Sequence, residues 1–111
     1  MGSINNLKKP KDLINPKDLK RSRNLRKSIH SFEHEFLRQY LINRRKDLGL
    51  TQRELADRMG VIYSFIGKVE TGDRRLDIIE FIQYCAAIEL DPTKVINEIK
   101  NKVIQENEKL R

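Results

Sequence analysis

The apolar positions of the chain fall into helical spacings, and one stretch orders the rest. From Thr51 to Gly72, Leu55 and Met59 lie four apart with Ala56 beside them, and Ile62, Ile66 and Val69 then recur at four and three. That pattern predicts two short helices, each burying one stripe. Thr51 is placed to cap the first, and Glu54 completes a capping box three residues on. Gly60 stands where the first helix must end in a left-handed residue, a conformation glycine adopts without steric cost. Gly72 closes the second helix. Two short helices with a glycine-containing turn make a helix-turn-helix.

The flanking stretches predict more helices. One begins near Ser31 and ends at Gly49, with Phe36, Leu37, Tyr40, Leu41 and Leu48 as its buried candidates. Arg44, Arg45 and Lys46 crowd its last turns, where cations complement the negative end of the helix dipole. A fourth helix is capped by Asp77 with Glu80 in the reciprocal position. Its Ile78, Ile79, Phe81, Ile82, Cys85, Ala86 and Ile88 are apolar over most of the circumference, which predicts a central place in the core. Asp91 and Pro92 start a fifth helix, cap followed by proline at the first position. Its stripe of Ile96, Ile99, Val103 and Leu110, with Ile104 alongside, runs on past Lys100 and offers a dimer seam.

Charge changes the picture at one end only. The chain of 111 residues carries a formal net charge of +7. Lys8, Lys9, Lys11, Lys17, Lys20, Arg21, Arg23, Arg26 and Lys27 stand against only Asp12 and Asp18 in residues 1–31, so the whole excess lies in this arm. Residues 1–15 read as flexible and 16–30 as a marginal basic helix, started by Asn15 and Pro16. Leu25, Ile29, Phe32 and Phe36 carry its spacing into the next helix. Pro-Lys-Asp-Leu occurs at 10–13 and again at 16–19, too short a repeat to define an architecture.

Composition bounds the rest. No apolar run approaches the roughly 20 residues of a membrane span and no signal-peptide core follows the start, so a cytoplasmic protein is expected. The single cysteine, Cys85, excludes an intrachain disulfide and reads as a small core residue. His30-Ser31-Phe32-Glu33-His34 matches the H-x-x-E-H zinc-peptidase pattern. It straddles a helix start, however, and the chain has no further histidine or cysteine-rich ligand set. Gly67-Lys68 lacks the remaining residues of a phosphate loop. No catalytic grouping, metal or cofactor is expected, and the chain does not read as an enzyme.

The central stretch resembles the Cro/repressor-type helix-turn-helix family, also called the xenobiotic-response-element type. The resemblance is carried by Leu50-Thr51-Gln52, Leu55-Ala56, Gly60-Val61 and Val69-Glu70-Thr71-Gly72. It extends from about Leu37 to about Ile96, through Arg45, Gly49 and Arg74-Arg75-Leu76-Asp77. It implies that helix 62–70 enters the major groove of double-stranded DNA, with Tyr63, Ser64 and Lys68 reading base edges. Gln52, Thr71, Arg74 and Arg75 then contact the DNA backbone. Arg45 and Glu70 match a structural ion pair joining the first helix to the end of the recognition helix. Two departures stand out: Ile62 replaces the usual Ser or Thr cap, and Gly67 interrupts the recognition helix.

These readings predict an all-α fold, a five-helix repressor-like DNA-binding domain with a basic N-terminal arm and an extended C-terminal helix. The divisions are 1–31 for the arm, 32–100 for the domain and 101–111 for the extension. The implied function is a sequence-specific transcriptional regulator, a homodimeric repressor with no small-molecule ligand evident. The alternative is a helix-turn-helix protein-interaction module, an antitoxin or anti-repressor.

Overall fold

The computed structural model describes residues 31 to 109. The basic arm, His30 and Leu110 lie outside the described residues. The element order is α1 (Phe32–Asp47), α2 (Gln52–Met59), α3 (Tyr63–Thr71), α4 (Ile78–Ala87) and α5 (Pro92–Lys109). No strand occurs among the described residues, and none of their helices is long and apolar enough to cross a membrane.

Local chemistry sets the helix ends where the sequence predicts them. At α2 the Glu54 amide donates to Thr51 Oγ1 at 3.0 Å, and the Thr51 amide donates to Glu54 Oε1 at 2.9 Å. The same reciprocal box opens α4, with 2.7 Å from the Glu80 amide to Asp77 Oδ1 and 3.0 Å in return. Gly60 and Gly72 end α2 and α3 in the left-handed conformation, at φ 71° and 88°. At α3 the expected weakness is present, since Ile62 makes no side-chain capping bond.

The core gathers Leu41, Leu55, Ala56, Ile66, Val69, Phe81, Tyr84, Cys85, Ile88 and Val95. Burial pushes the Cys85 thiol up to about 11, which leaves it an inert packing group. The core differs from the apolar pattern in three ways. Ile62, expected in the α3 stripe, is exposed, because it precedes the first helical turn. On α4 the buried arc is Phe81, Tyr84, Cys85 and Ile88, while Ile78, Ile79, Ile82 and Ala86 face outward. On α5 Val95 is fully buried and Ile96 is exposed, while Ile99 and Val103 of the expected stripe pack inward.

α5 runs through Lys100 without a break, and Val103 is buried within its own chain. Two contacts tie α5 to α1: the Tyr40 hydroxyl donates to Glu98 Oε2 at 2.9 Å, and Lys102 lies 5.8 Å from the Phe36 ring centre. The C-terminal end of α4 is held from outside. Arg44 donates to the carbonyls of Ile88 and Glu89 at 2.9 Å each, and Arg58 donates to that of Ala87 at 2.9 Å. Arg44, expected to complement its own helix dipole, therefore caps the end of α4. It fixes a turn in which Glu89 takes the left-handed conformation at φ 55°.

Candidate nucleic-acid interface

One face of α3 is fixed and the other is open. Ile66 and Val69 anchor the helix in the core. At its C-terminal end Glu70 is locked from two other elements. Arg45 Nε donates to Glu70 Oε2 at 2.7 Å and Arg45 Nη2 to Glu70 Oε1 at 3.0 Å, while Arg45 Nη1 donates to the Leu50 carbonyl at 2.6 Å. Gln52 Nε2 donates to Glu70 Oε1 at 2.9 Å. The Arg45 and Glu70 side chains are 10% and 7% exposed. A carboxylate this buried must have its oxygens filled, and three donors fill them.

Ser64, Gly67 and Lys68 lie on the side of α3 opposite Ile66 and Val69. Tyr63 and Lys68 are exposed and Ser64 is half-buried. The Tyr63 ring is not loose: the Arg53 guanidinium lies 4.4 Å from its centre, a cation–π contact from the first turn of α2. Gly67 is approached by α2 as well. A Cβ built there would meet Gln52 Oε1 at 3.7 Å, an ordinary contact, so the glycine is not required by space.

The residues expected on the DNA backbone lie at the end of α3, in the loop after it and at the start of α2, mostly already engaged. Gln52 is bonded to Glu70, and its remaining amide hydrogen and the unfilled backbone amides of the first turn of α2 are what it can offer an anion. The Thr71 hydroxyl donates to Asp73 Oδ2 at 3.0 Å. Arg74 grips Glu80 through both oxygens at 2.9 and 2.8 Å, and its guanidinium stacks over Phe65 at 4.6 Å. This Arg74 bond, with the Asp77 amide, holds the Glu80 carboxyl below its usual range. Arg75 stands with His34, Arg38 and Leu76 along a small cleft between α1 and the loop. Burial, then the charges of Arg75 and Arg38, lower the His34 pKa.

His34 itself serves the start of α1. Its Nδ1 lies 2.9 Å from Ser31 Oγ, and no group of three or more metal-binding side chains occurs among the described residues.

A family model described as helix-turn-helix matches residues 41–95. Among solved structures, the chain is similar to an XRE-family like protein from Pseudomonas syringae pv. tomato str. DC3000. The two are 38% identical, the match covers 71% of this chain and 96% of that one, and the TM-score is 0.64. The chain belongs to the XRE-type helix-turn-helix family. No curated protein matches it. As an XRE-type protein it is a DNA-binding regulator, and the fold that carries α3 is the all-α fold of its solved relative.

Sequence reasoning missed the Arg53 contact with Tyr63 and the outward turn of Ile62. No spacing rule links residues 53 and 63, which meet only because the turn at Gly60 packs α3 across α2. The signal for Ile62 was available, since a residue at a helix N-cap precedes the turn whose stripe is buried.

Proposed function

We propose that this domain is a sequence-specific transcriptional regulator that binds double-stranded DNA as a homodimer and represses by covering a promoter. The observation that carries the reading is the outward face of α3. Tyr63, Ser64 and Lys68 are presented there on a helix whose inward side is pinned through Glu70 to α1 and α2. Lysine donates to guanine O6 and N7, serine bonds to several bases, and tyrosine meets a thymine methyl or a phosphate. Gln52, Thr71, Arg74 and Arg75 flank that face and serve the sugar-phosphate backbone, Arg74 by exchanging or sharing its Glu80 partner.

A second copy is the occupant we assign to the apolar face of α4 and α5. Ile78, Ile82 and Ile96 protrude there beside a groove floored by Leu37, Phe81 and Ile99. Projections and a groove on one face suit a twofold contact, in which each copy supplies both halves of the fit. The seam then includes α4 and the middle of α5, while Val103, beyond Lys100, is buried within its own chain. The reading needs neither cofactor nor metal and suits a cytoplasmic protein. The same apolar face supports the second reading, a module that binds another protein as an antitoxin or anti-repressor.

Selection of bound duplexes from a random DNA pool separates the two. A regulator enriches a roughly palindromic sequence, and an interaction module enriches none. Sedimentation of the full chain tests the dimer, which a monomer at high concentration removes.

A further inference from the structure

Ile62 is 74% exposed, more than any other large apolar side chain among the described residues. It occupies the N-cap of α3, where Ser, Thr, Asp or Asn would satisfy a free amide, and it makes no such bond. The side chain thus contributes neither a cap nor core burial to the folded domain. It also lies apart from the groove between α4 and α5, whose lining does not include it. Next to it in sequence stands Tyr63, whose ring is held under Arg53. An apolar group at the leading end of a helix proposed to enter the groove is placed to meet an apolar feature there. The major groove offers one on its base edges, the 5-methyl group of thymine.

We propose that Ile62 is a specificity residue that selects a thymine by packing on its 5-methyl group. This rests on the reading of α3 as the DNA-recognition helix. The ligand class is a thymine-containing duplex, and 5-methylcytosine presents the same methyl in the same groove. Ile62 gives up the stabilisation of a polar cap at this position, and its selectivity is read only when DNA is bound.

The test uses the full chain and the duplex it selects from a random pool. Each thymine of that duplex is replaced singly by deoxyuridine, which removes the methyl and leaves the pairing edge intact. Binding is measured for the native protein, Ile62→Ala and Ile62→Ser. The native protein should lose about fourfold in affinity at one thymine of each half-site, the worth of one buried methyl-sized group. Both variants should bind the thymine and deoxyuridine forms of that position equally. Ile62→Ser restores a capping hydroxyl, so its melting temperature should be no lower than the native one, which separates lost readout from lost folding. Equal sensitivity of native and variant proteins at every thymine overturns the assignment, as does a native protein indifferent to all the replacements. A pool that yields no enriched duplex overturns the DNA reading itself and the assignment with it, and that result is visible before any variant is made.

Discussion

Arg45 on α1 and Glu70 on α3 share two hydrogen bonds at 2.7 and 3.0 Å with little of either side chain open to water. The pair spans the helix-turn-helix from outside, joining the helix before it to the end of its second helix. Gln52 adds a third donor from α2, so one carboxylate collects three of the five described helices. An arrangement of this kind contributes orientation more than net stability, because the cost of burying both charges offsets most of their attraction.

Removing one partner should therefore be worse than removing both. Glu70→Ala or Arg45→Ala is expected to cost about 3–5 kcal/mol in urea unfolding, since each leaves a buried group without its counter-charge. The double variant Arg45→Met, Glu70→Leu should recover a large part of that loss. A double variant no more stable than the single ones would show that the pair contributes by its own attraction.

The local signals in this chain were legible and the choice of buried side was not. Thr51 with Glu54, Asp77 with Glu80, and Gly60 and Gly72 act within a few residues of themselves, so their roles could be read without any tertiary knowledge. On α4, isoleucine at 78, 79 and 82 competes with Phe81, Tyr84, Cys85 and Ile88 for the core, and hydrophobicity alone does not rank them. The winning arc contains a tyrosine, which periodicity discounted. Its hydroxyl is enclosed with no hydrogen-bond partner of normal geometry, beside Glu70, and burial raises its pKa far above the usual range. At the candidate interface, the resemblance supplied the residues proposed to face DNA. It did not reveal that Gln52, Thr71 and Arg74 are already bonded within the domain, because those bonds depend on side-chain geometry.

Lys68 and Gln52 should fail differently when truncated. Lys68→Ala is expected to cost about 1–3 kcal/mol on the selected site and to relax preference at one base position. Gln52→Ala should weaken binding to all sequences about equally, because its side chain supports α3 through Glu70 and is the one proposed to serve phosphate, which carries no sequence. It should also lower the melting temperature, since Glu70 loses a donor. Identical changes in base preference for both variants would show that the roles are wrongly divided.

His34 should make the fold sensitive to mild acid. Its pKa in the folded state lies below the ordinary 6.5, through burial and then the charges of Arg75 and Arg38. The unfolded chain takes up a proton as pH falls through about 6.5 while the folded chain does not. Stability is thus full above that value and declines below it, until pH reaches the lower folded pKa. Urea midpoints at pH 7.5 and 5.5 should differ more for the native chain than for His34→Gln. Equal pH dependence in the two would assign the acid sensitivity to other groups.

The basic arm should reveal itself through salt. It joins the described domain at Ser31, whose hydroxyl meets His34, and His34 shares a cleft with Arg74 and Arg75. The chain therefore leaves the domain beside the loop assigned to the DNA backbone. If the arm binds DNA, its cations should engage phosphates, or Arg21 and Arg23 should lie in a minor groove. Deleting residues 1–27 removes Lys8, Lys9, Lys11, Lys17, Lys20, Arg21, Arg23, Arg26 and Lys27, but no residue of the described core. Melting should change little. Each phosphate that the arm no longer neutralises should reduce the slope of log affinity against log salt by about 0.9, and a fall of about two to five units is expected if part of the arm is engaged. The fall should appear on selected and random duplexes alike, because phosphate contacts carry no sequence. Equal slopes for truncated and intact protein would exclude the arm from the DNA interface and direct its charge toward an acidic protein partner.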